Sequence, residues 1–541
     1  MESNIHVNEQ VLQQIEWESI KTIVNGHSHF THNFNNIFKY LSDKTKIQLK
    51  LDETQKFYEF LYNSEFSEMV QNFLRLSPEV DYINHLGAIK KEHALGFEQL
   101  NQIVLTCEIF LQNSKLLTSY LPEFRVSEDL NQFKQKIQKS ILKEFRKFIS
   151  IEGELDLSKH PILRPLYEKK IHLETTIRNK LEYLLNDSEL QKKIQFATID
   201  VINDRYVIPI RSDSFNNKIG QIVSRSDTGS TLYVEPSSIA QMNYERLQLV
   251  IQIQSILSKL ELDYTIKLKD FLPELREIST LVFYIDEFNT RSNFAKDFRL
   301  SYPEIVSEKI INLKNAFHPL IEQPVKNNIY ISAQSNGLVI SGPNTGGKTA
   351  TLKCLALTQL FLRFGFFIPC DGGSIFIYDE IFYFGNDGQD LNSGLSSFSA
   401  EVKNYTSLFQ KFKENNLILI DEIFNSTSSE EASALAVALF KKIHQTTSAH
   451  IIVSSHHQTL KTILHQDESY ISAHVGFNTD NNSPTYKLHY GSPGSSHALR
   501  IFKSLTKSLD QFDNVYENAL SFLDNKVIPV SYTHLRAHET R

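Results

Sequence analysis

A multidomain chain of the α + α/β kind is what this sequence predicts, on three observations. Residues 11–190 carry Leu, Ile and Phe at helical spacing with little Gly or Pro. At residues 196–201 the apolar period switches from helical to alternating, and residues 310–505 alternate short aliphatic runs with helical stretches. With 541 residues, 41% of them hydrophobic, the chain has the length for three or four domains with buried cores.

The first half reads as helical. Leu166, Leu173, Ile177, Leu181 and Leu184 fall three, four or seven apart, which sets one stripe of a helix against a partner helix. In residues 133–148, Phe133, Ile137, Ile141, Phe145 and Phe148 make an apolar face. Lys134, Lys136, Lys139, Lys143, Arg146 and Lys147 lie between them and read as a solvated basic face. Alternation at Phe196-Ala197-Thr198-Ile199-Asp200-Val201, a turn at Asn203-Asp204 and the run Tyr206-Val207-Ile208-Pro209-Ile210 predict paired strands. Residues 219–223 and 231–234 continue the β character, with Arg211, Lys218 and Arg225 in or beside these runs. After Glu235-Pro236, helical spacing resumes through Leu247, Ile251, Leu257 and Leu260, so a small β-rich insert stands between long helices. The resulting division is 1–194, 195–236, 237–305, 306–505 and 506–541, the last a helix and an unstructured tail. Residues 530–541 have no apolar period and are given no function.

In the third region, the apolar run Leu338-Val339-Ile340 leads into Gly342-Pro343-Asn344-Thr345-Gly346-Gly347-Lys348-Thr349 and then a helical stretch. This fits G-x-x-x-x-G-K-[ST] between a strand and a helix. Glycines let backbone N–H groups close around phosphate oxygens, Lys348 reaches the terminal phosphates, and the Thr349 hydroxyl can ligate Mg²⁺, so a site for ATP or GTP is implied. About seventy residues later, four aliphatics at Leu417-Ile418-Leu419-Ile420 describe a strand buried on both faces, ending in Asp421-Glu422. Asp421 is placed to hold Mg²⁺, and Glu422 to orient and deprotonate a water. The run His450-Ile451-Ile452-Val453-Ser454-Ser455 ends in His456-His457, where His456 could sense a terminal phosphate or merely cap the next helix.

A net charge of −7 excludes a uniformly basic nucleic-acid coat and leaves room only for a local basic face. Cys107, Cys354 and Cys370 are far apart and form no C-x-x-C pair, which fits a reducing compartment and argues against zinc knuckles and disulfide frameworks. No apolar run suits a signal or a membrane span, so a cytoplasmic protein with no membrane partner is expected.

Ser341 to Thr349, Asp421-Glu422-Ile423, the Ser455-His456 strand end and Asn315-Ala316-Phe317-His318-Pro319 together resemble the ATPase domain of the MutS family of DNA mismatch repair ATPases. Tyr206-Val207-Ile208-Pro209-Ile210, Gly229-Ser230-Thr231-Leu232-Tyr233-Val234-Glu235-Pro236 and Ser483-Pro484-Thr485-Tyr486-Lys487-Leu488 look like the subgroup that lacks the mismatch-recognition domain and often ends in an Smr domain. The resemblance covers roughly residues 20–505. It implies a helical core and lever, a β-rich clamp inserted between lever helices, and a P-loop (ABC-type) ATPase domain that forms a homodimer with two composite sites. It further implies ATP and Mg²⁺ as cofactors and duplex, mismatched or branched DNA as partner, gripped by Arg211, Lys218 and Arg225. His318 and Pro319 match the segment beside the adenine. Ser396 and Ser397 match a loop that reaches the partner's nucleotide.

Two departures shape the expectation. Where the family has glycines after the paired carboxylates, this chain has Phe424-Asn425-Ser426-Thr427, which removes easy access to φ > 0 and adds bulk. No mismatch wedge fits before the helical core and nothing after Leu505 is long enough for an Smr domain, so neither wedge reading nor nuclease activity is expected. The leading reading is an ATP-dependent DNA clamp. The alternatives are a ribosome-associated ATPase acting on stalled ribosomes and a nucleotide-dependent dimer with little hydrolysis.

Overall fold

The computed structural model describes residues 9–30, 34–76, 81–90, 93–120, 128–343, 346–385, 397–409, 411–425, 427–478 and 483–492, with Phe502, Val515 and Ala519 beyond them. Asn344, Thr345, Ser396, Ser426 and residues 530–541, all named above, lie outside the described residues. The chain falls into two units, one of Tyr62–Asp286 and one joining Met1–Leu61 to Glu287–Arg541.

The unit of Tyr62–Asp286 is helical apart from one sheet. Its long helices Leu163–Leu185 and Ala240–Lys269 pack together. The expected stripe is a buried face, with Leu173, Ile177 and Leu181 buried on the first helix; Leu249 and Ile253 are buried on the second. Between them stand β1 (Asp200–Ile202), β2 (Arg205–Arg211), β3 (Gly220–Arg225) and β4 (Thr231–Pro236), in the order β1-β2-β4-β3 and antiparallel throughout. The β1–β2 turn is Asn203-Asp204 as the sequence predicts, with φ 50° and 57°. Two left-handed residues match the twist of a tight hairpin, and Asn and Asp tolerate that conformation best among non-glycines. Tyr206, Ile208, Ile210, Leu232 and Val234 share one core with Ile177 and Leu181, which seats the sheet on the helix. A buried polar clasp adds direction: Glu235 accepts from Arg205 at 2.9 Å and from Asn243 at 2.7 Å, while Tyr206 N–H donates to Asn243. Every charged or amide group in the clasp has a partner, the condition under which burying them is tolerable.

The basic segment differs from a plain helix. Glu128–Ile137 passes through a π turn at Gln138–Leu142 into Lys143–Phe145. Phe133, Ile137, Ile141, Phe145 and Phe148 are all buried as expected. Arg146 is not solvated: it donates to Glu108 at 2.7 Å, to Asn101 at 2.6 Å and to the Ser150 carbonyl at 2.7 Å.

The other unit holds two sheets. The smaller has β5 (Glu304–Ile305), β6 (Ile311–Ala316), β7 (Asn327–Ile331) and β9 (Gly372–Ile375) in the order β5-β9-β6-β7. The larger orders β8 (Gly337–Ser341), β10 (Glu380–Phe384), β11 (Asn416–Asp421), β12 (His450–Ser454), β13 (Tyr470–Asn478) and β14 (Ser483–Tyr490) as β10-β11-β12-β8-β13-β14. All its pairs are parallel except β13–β14. β8, β12 and the aliphatic part of β11 are wholly buried, which is why they read as continuous aliphatic runs rather than alternating ones.

Helix Lys348–Arg363 follows β8 and is buried on nearly every side. The N-terminal helices of the same unit help cover it: Trp17 is 1% exposed and stacks on Phe364 at 5.2 Å. Arg291, 2% exposed, donates to the Phe364 carbonyl at 3.0 Å and pairs with Glu287. Among the described residues, no helix is long and apolar enough to cross a membrane.

Candidate nucleotide site

The site forms where β8, β11 and β12 end. Gly342 leaves β8 with φ 132°, and Gly347 caps the following helix with φ 91°, conformations that side chains resist. At Gly342 a Cβ would also lie 3.1 Å from the Val475 Cβ, a tight contact that would make β13 give by a few tenths of an ångström. The helix N-terminus then turns its first N–H groups and a positive dipole end to the same space.

Lys348 is 1% exposed, and its Nζ donates to the Gly342 carbonyl at 2.8 Å. Burial pushes its pKa down, partly offset by the Glu422 carboxylate, whose Oε1 is 3.8 Å from Nζ. Thr349 donates its hydroxyl to Asp421 Oδ2 at 2.5 Å, across 72 residues of sequence. Ser454, at the end of β12, donates to Asp421 Oδ1 at 2.6 Å and accepts the Glu422 N–H at 3.1 Å. The two segments singled out in the sequence thus meet as one charged cluster.

His456 is about half exposed, with Nδ1 4.0 Å from Glu422 Oε2, which is beyond a hydrogen bond. His457, to which the sequence attached no role, is the buried one. It contacts the Ile423 carbonyl through Nε2 at 3.2 Å and Ser429 through Nδ1 at 3.1 Å, and burial lowers its pKa. A neutral ring that donates at Nε2 and accepts at Nδ1 satisfies both contacts and ties the segment after Glu422 to the end of β12. Ser397 opens helix Ser397–Leu408.

Beside Gly347 and Thr349 lies a cavity of about 580 Å³, lined by apolar Ile321 and Val325, by Tyr486, and by polar His318, Glu16 and Lys353. Glu16 and Lys353 pair at 2.8 Å. His318 is 5% exposed, and burial lowers its pKa, so its ring is neutral at pH 7. Its Nδ1 accepts the Leu320 N–H at 3.4 Å, which leaves the proton on Nε2, a buried donor with no partner among the described residues. An orphaned donor beside a cavity of ligand size suits an acceptor carried by a bound molecule. Pro319 is buried next to His318.

Ser454, Glu16 and Asn425 belong to the site yet carry no motif in the sequence; Asn425 donates its amide to Glu422 Oε2 at 2.7 Å. Ser454 was within reach, as a polar residue closing an aliphatic strand. Glu16 lies some 330 residues from the loop and has no local signal.

In the β-rich insert, Arg211, Lys218 and Arg225 are all exposed. Arg211 pairs in register with Thr231 and Arg225 with Leu232, so these two share one end of the sheet. Lys218 precedes Gly220, which pairs with Pro236 at the other end.

Residues 338–509 match the family of MutS domain V. Endonuclease MutS2 of Bacillus velezensis is 31% identical over 366 residues, covering 67% of this chain and 46% of the relative. That of Clostridioides difficile is 30% identical over 395 residues, covering 72% and 49%. That of Caldanaerobacter subterraneus is 26% identical over 532 residues, covering 96% and 65%. The chain spans about half the length of the curated relatives it matches. On this shared sequence the chain belongs to the MutS family, among proteins of the MutS2 type.

Proposed function

We propose that the chain is a Mg²⁺-dependent ATPase of MutS type that couples nucleotide turnover to its grip on duplex, mismatched or branched DNA. The observation that carries this reading is the convergence of Lys348, Thr349, Asp421 and Glu422 at the ends of neighbouring parallel strands, beside a cavity with an orphaned His318 donor. Ligands of open α/β sheets bind at such strand ends.

In this reading the backbone N–H groups after Gly342 and the Lys348 ammonium bind the phosphates, and the His318 Nε2–H meets an acceptor of the base. Thr349 and Asp421 fit Mg²⁺, which takes one or two protein oxygens together with phosphate and water rather than a full protein cage. When bound, Mg²⁺ supplies charge neutralisation at the phosphate oxygens. Ser454 fixes the Asp421 carboxylate, and Glu422 orients a water and takes its proton. Arg211 and Arg225 at one end of the insert sheet contact the DNA backbone without reading sequence. Two copies associate through the segment that includes Ser396 and Ser397, and the protein works in the cytoplasm.

Equilibrium binding of ATP tests the site. Wild type is expected to bind MgATP, Lys348→Ala to lose binding at least tenfold, and Thr349→Ala to lose the Mg²⁺ dependence of binding. ATP affinity unchanged by Lys348→Ala would contradict the assignment.

A further inference from the structure

The segment after Glu422 is held more firmly than a glycine-rich turn would be. Glu422 and Phe424 both adopt left-handed backbone, at φ 62° and 54°, although neither is glycine. Phe424 is 4% exposed, with its ring 5.7 Å from Phe398 and 5.4 Å from Tyr405 and its N–H donated to Glu401 at 2.6 Å. The Glu422 N–H is itself taken by Ser454. The turn is thus pinned immediately before Asn425.

Asn425 Nδ2 lies 2.7 Å from Glu422 Oε2. A carboxylate only accepts, so the amide must face it with its nitrogen. That orientation leaves Asn425 Oδ1 buried without a partner among the described residues, an unfavourable arrangement that the bond to Glu422 has to offset. The other carboxylate oxygen, Oε1, faces Lys348 at 3.8 Å. A phosphate bound by Lys348 would compete with Glu422 for its ammonium. The same event does nothing to Asn425, whose place is set by the pinned turn.

We propose that Asn425 is a positioning residue that latches the Glu422 carboxylate, holding it off the attacking water and slowing ATP turnover. The proposal rests on the ATPase reading above. An oxygen already accepting from an amide offers less to a water hydrogen, and a side chain tied in one rotamer cannot follow the water to the phosphate. Hydrogen bonds to charged groups are the stronger kind, and losing one is enough for about a tenfold change in rate.

The test is steady-state MgATP hydrolysis by the full chain, with ATP affinity read separately by a fluorescent ATP analogue. Wild type, Asn425→Ala, Asn425→Leu, Glu422→Gln and the Glu422→Gln/Asn425→Ala double variant are compared. Asn425→Ala is expected to raise kcat about tenfold with KM and ATP affinity unchanged. Asn425→Leu keeps nearly the shape, removes the donor without adding a charge beside Glu422, and must show the same direction, which covers the case in which the alanine variant fails to fold. The double variant is expected to be no faster than Glu422→Gln, because a latch has nothing to release once the base is gone. A kcat at or below wild type in Asn425→Ala and Asn425→Leu, with ATP still bound, overturns the latch and leaves the ATPase reading standing. A wild type that binds no ATP, or a Glu422→Gln variant with wild-type turnover, overturns the ATPase reading and the latch with it.

Discussion

Phe424 shows how burial and backbone strain compete at one residue. A non-glycine residue in the left-handed region costs about 1–2 kcal/mol, while deleting a buried Phe side chain costs roughly 3–5 kcal/mol. Burial outweighs strain, which explains why a residue without glycine's freedom still adopts φ 54° here. Phe424→Gly, which restores the backbone freedom but empties the space between Phe398 and Tyr405, is expected to destabilise the protein by about 2–3 kcal/mol. A melting temperature equal to or above wild type in a thermal scan would show that strain, not packing, dominates. The sequence exposed the substitution at this position. It could not show that the turn keeps its left-handed path, because the aromatic partners that hold it come from another helix.

Among the elements, those with a strict period and standard turn chemistry were the legible ones. The Asn203-Asp204 hairpin and the buried strand β11 follow from local rules. The π turn at Gln138–Leu142 does not, although its cause is visible in hindsight. Phe133, Ile137, Ile141 and Phe145 recur every four residues, and a straight α-helix would rotate such a row by about 40° per step. A wider turn in mid-row brings the face back to the core. Charge pairing was equally invisible, and Arg146 found Glu108 across 38 residues.

Strand β12 carries a pH consequence. His450 is fully buried, its Nδ1 2.5 Å from the Tyr378 hydroxyl, and burial pushes its pKa down to about 3; His444 is pushed down to about 4. Below the ordinary histidine value of 6.5 the unfolded chain takes up these protons and the folded chain does not. Stability is therefore present above about pH 6.5 and falls as pH drops toward 4, by at most about 1.4 kcal/mol per pH unit for each group. The melting temperature is expected to decline from pH 7 to pH 5, and less so in His450→Gln. An identical slope in that variant would remove His450 from the explanation.

For the molecule as a whole, the net charge of −7 means that any grip on nucleic acid is local, and the insert sheet supplies a place for it. With Arg211 and Arg225 at one end and Lys218 at the other, the double variant Arg211→Glu/Arg225→Glu is expected to weaken duplex DNA binding and to lower the slope of log affinity against log salt by about 2. Lys218→Glu is expected to matter less. Equal effects from both would mean that the two ends of the sheet contribute alike. The central claim is that Lys348, Thr349, Asp421 and Glu422 form a single hydrolytic centre, and ATP hydrolysis by Glu422→Ala under saturating MgATP tests it most directly. The expected result is that ATP remains bound while turnover falls at least a hundredfold, as for the loss of a general base. Turnover equal to wild type would contradict it.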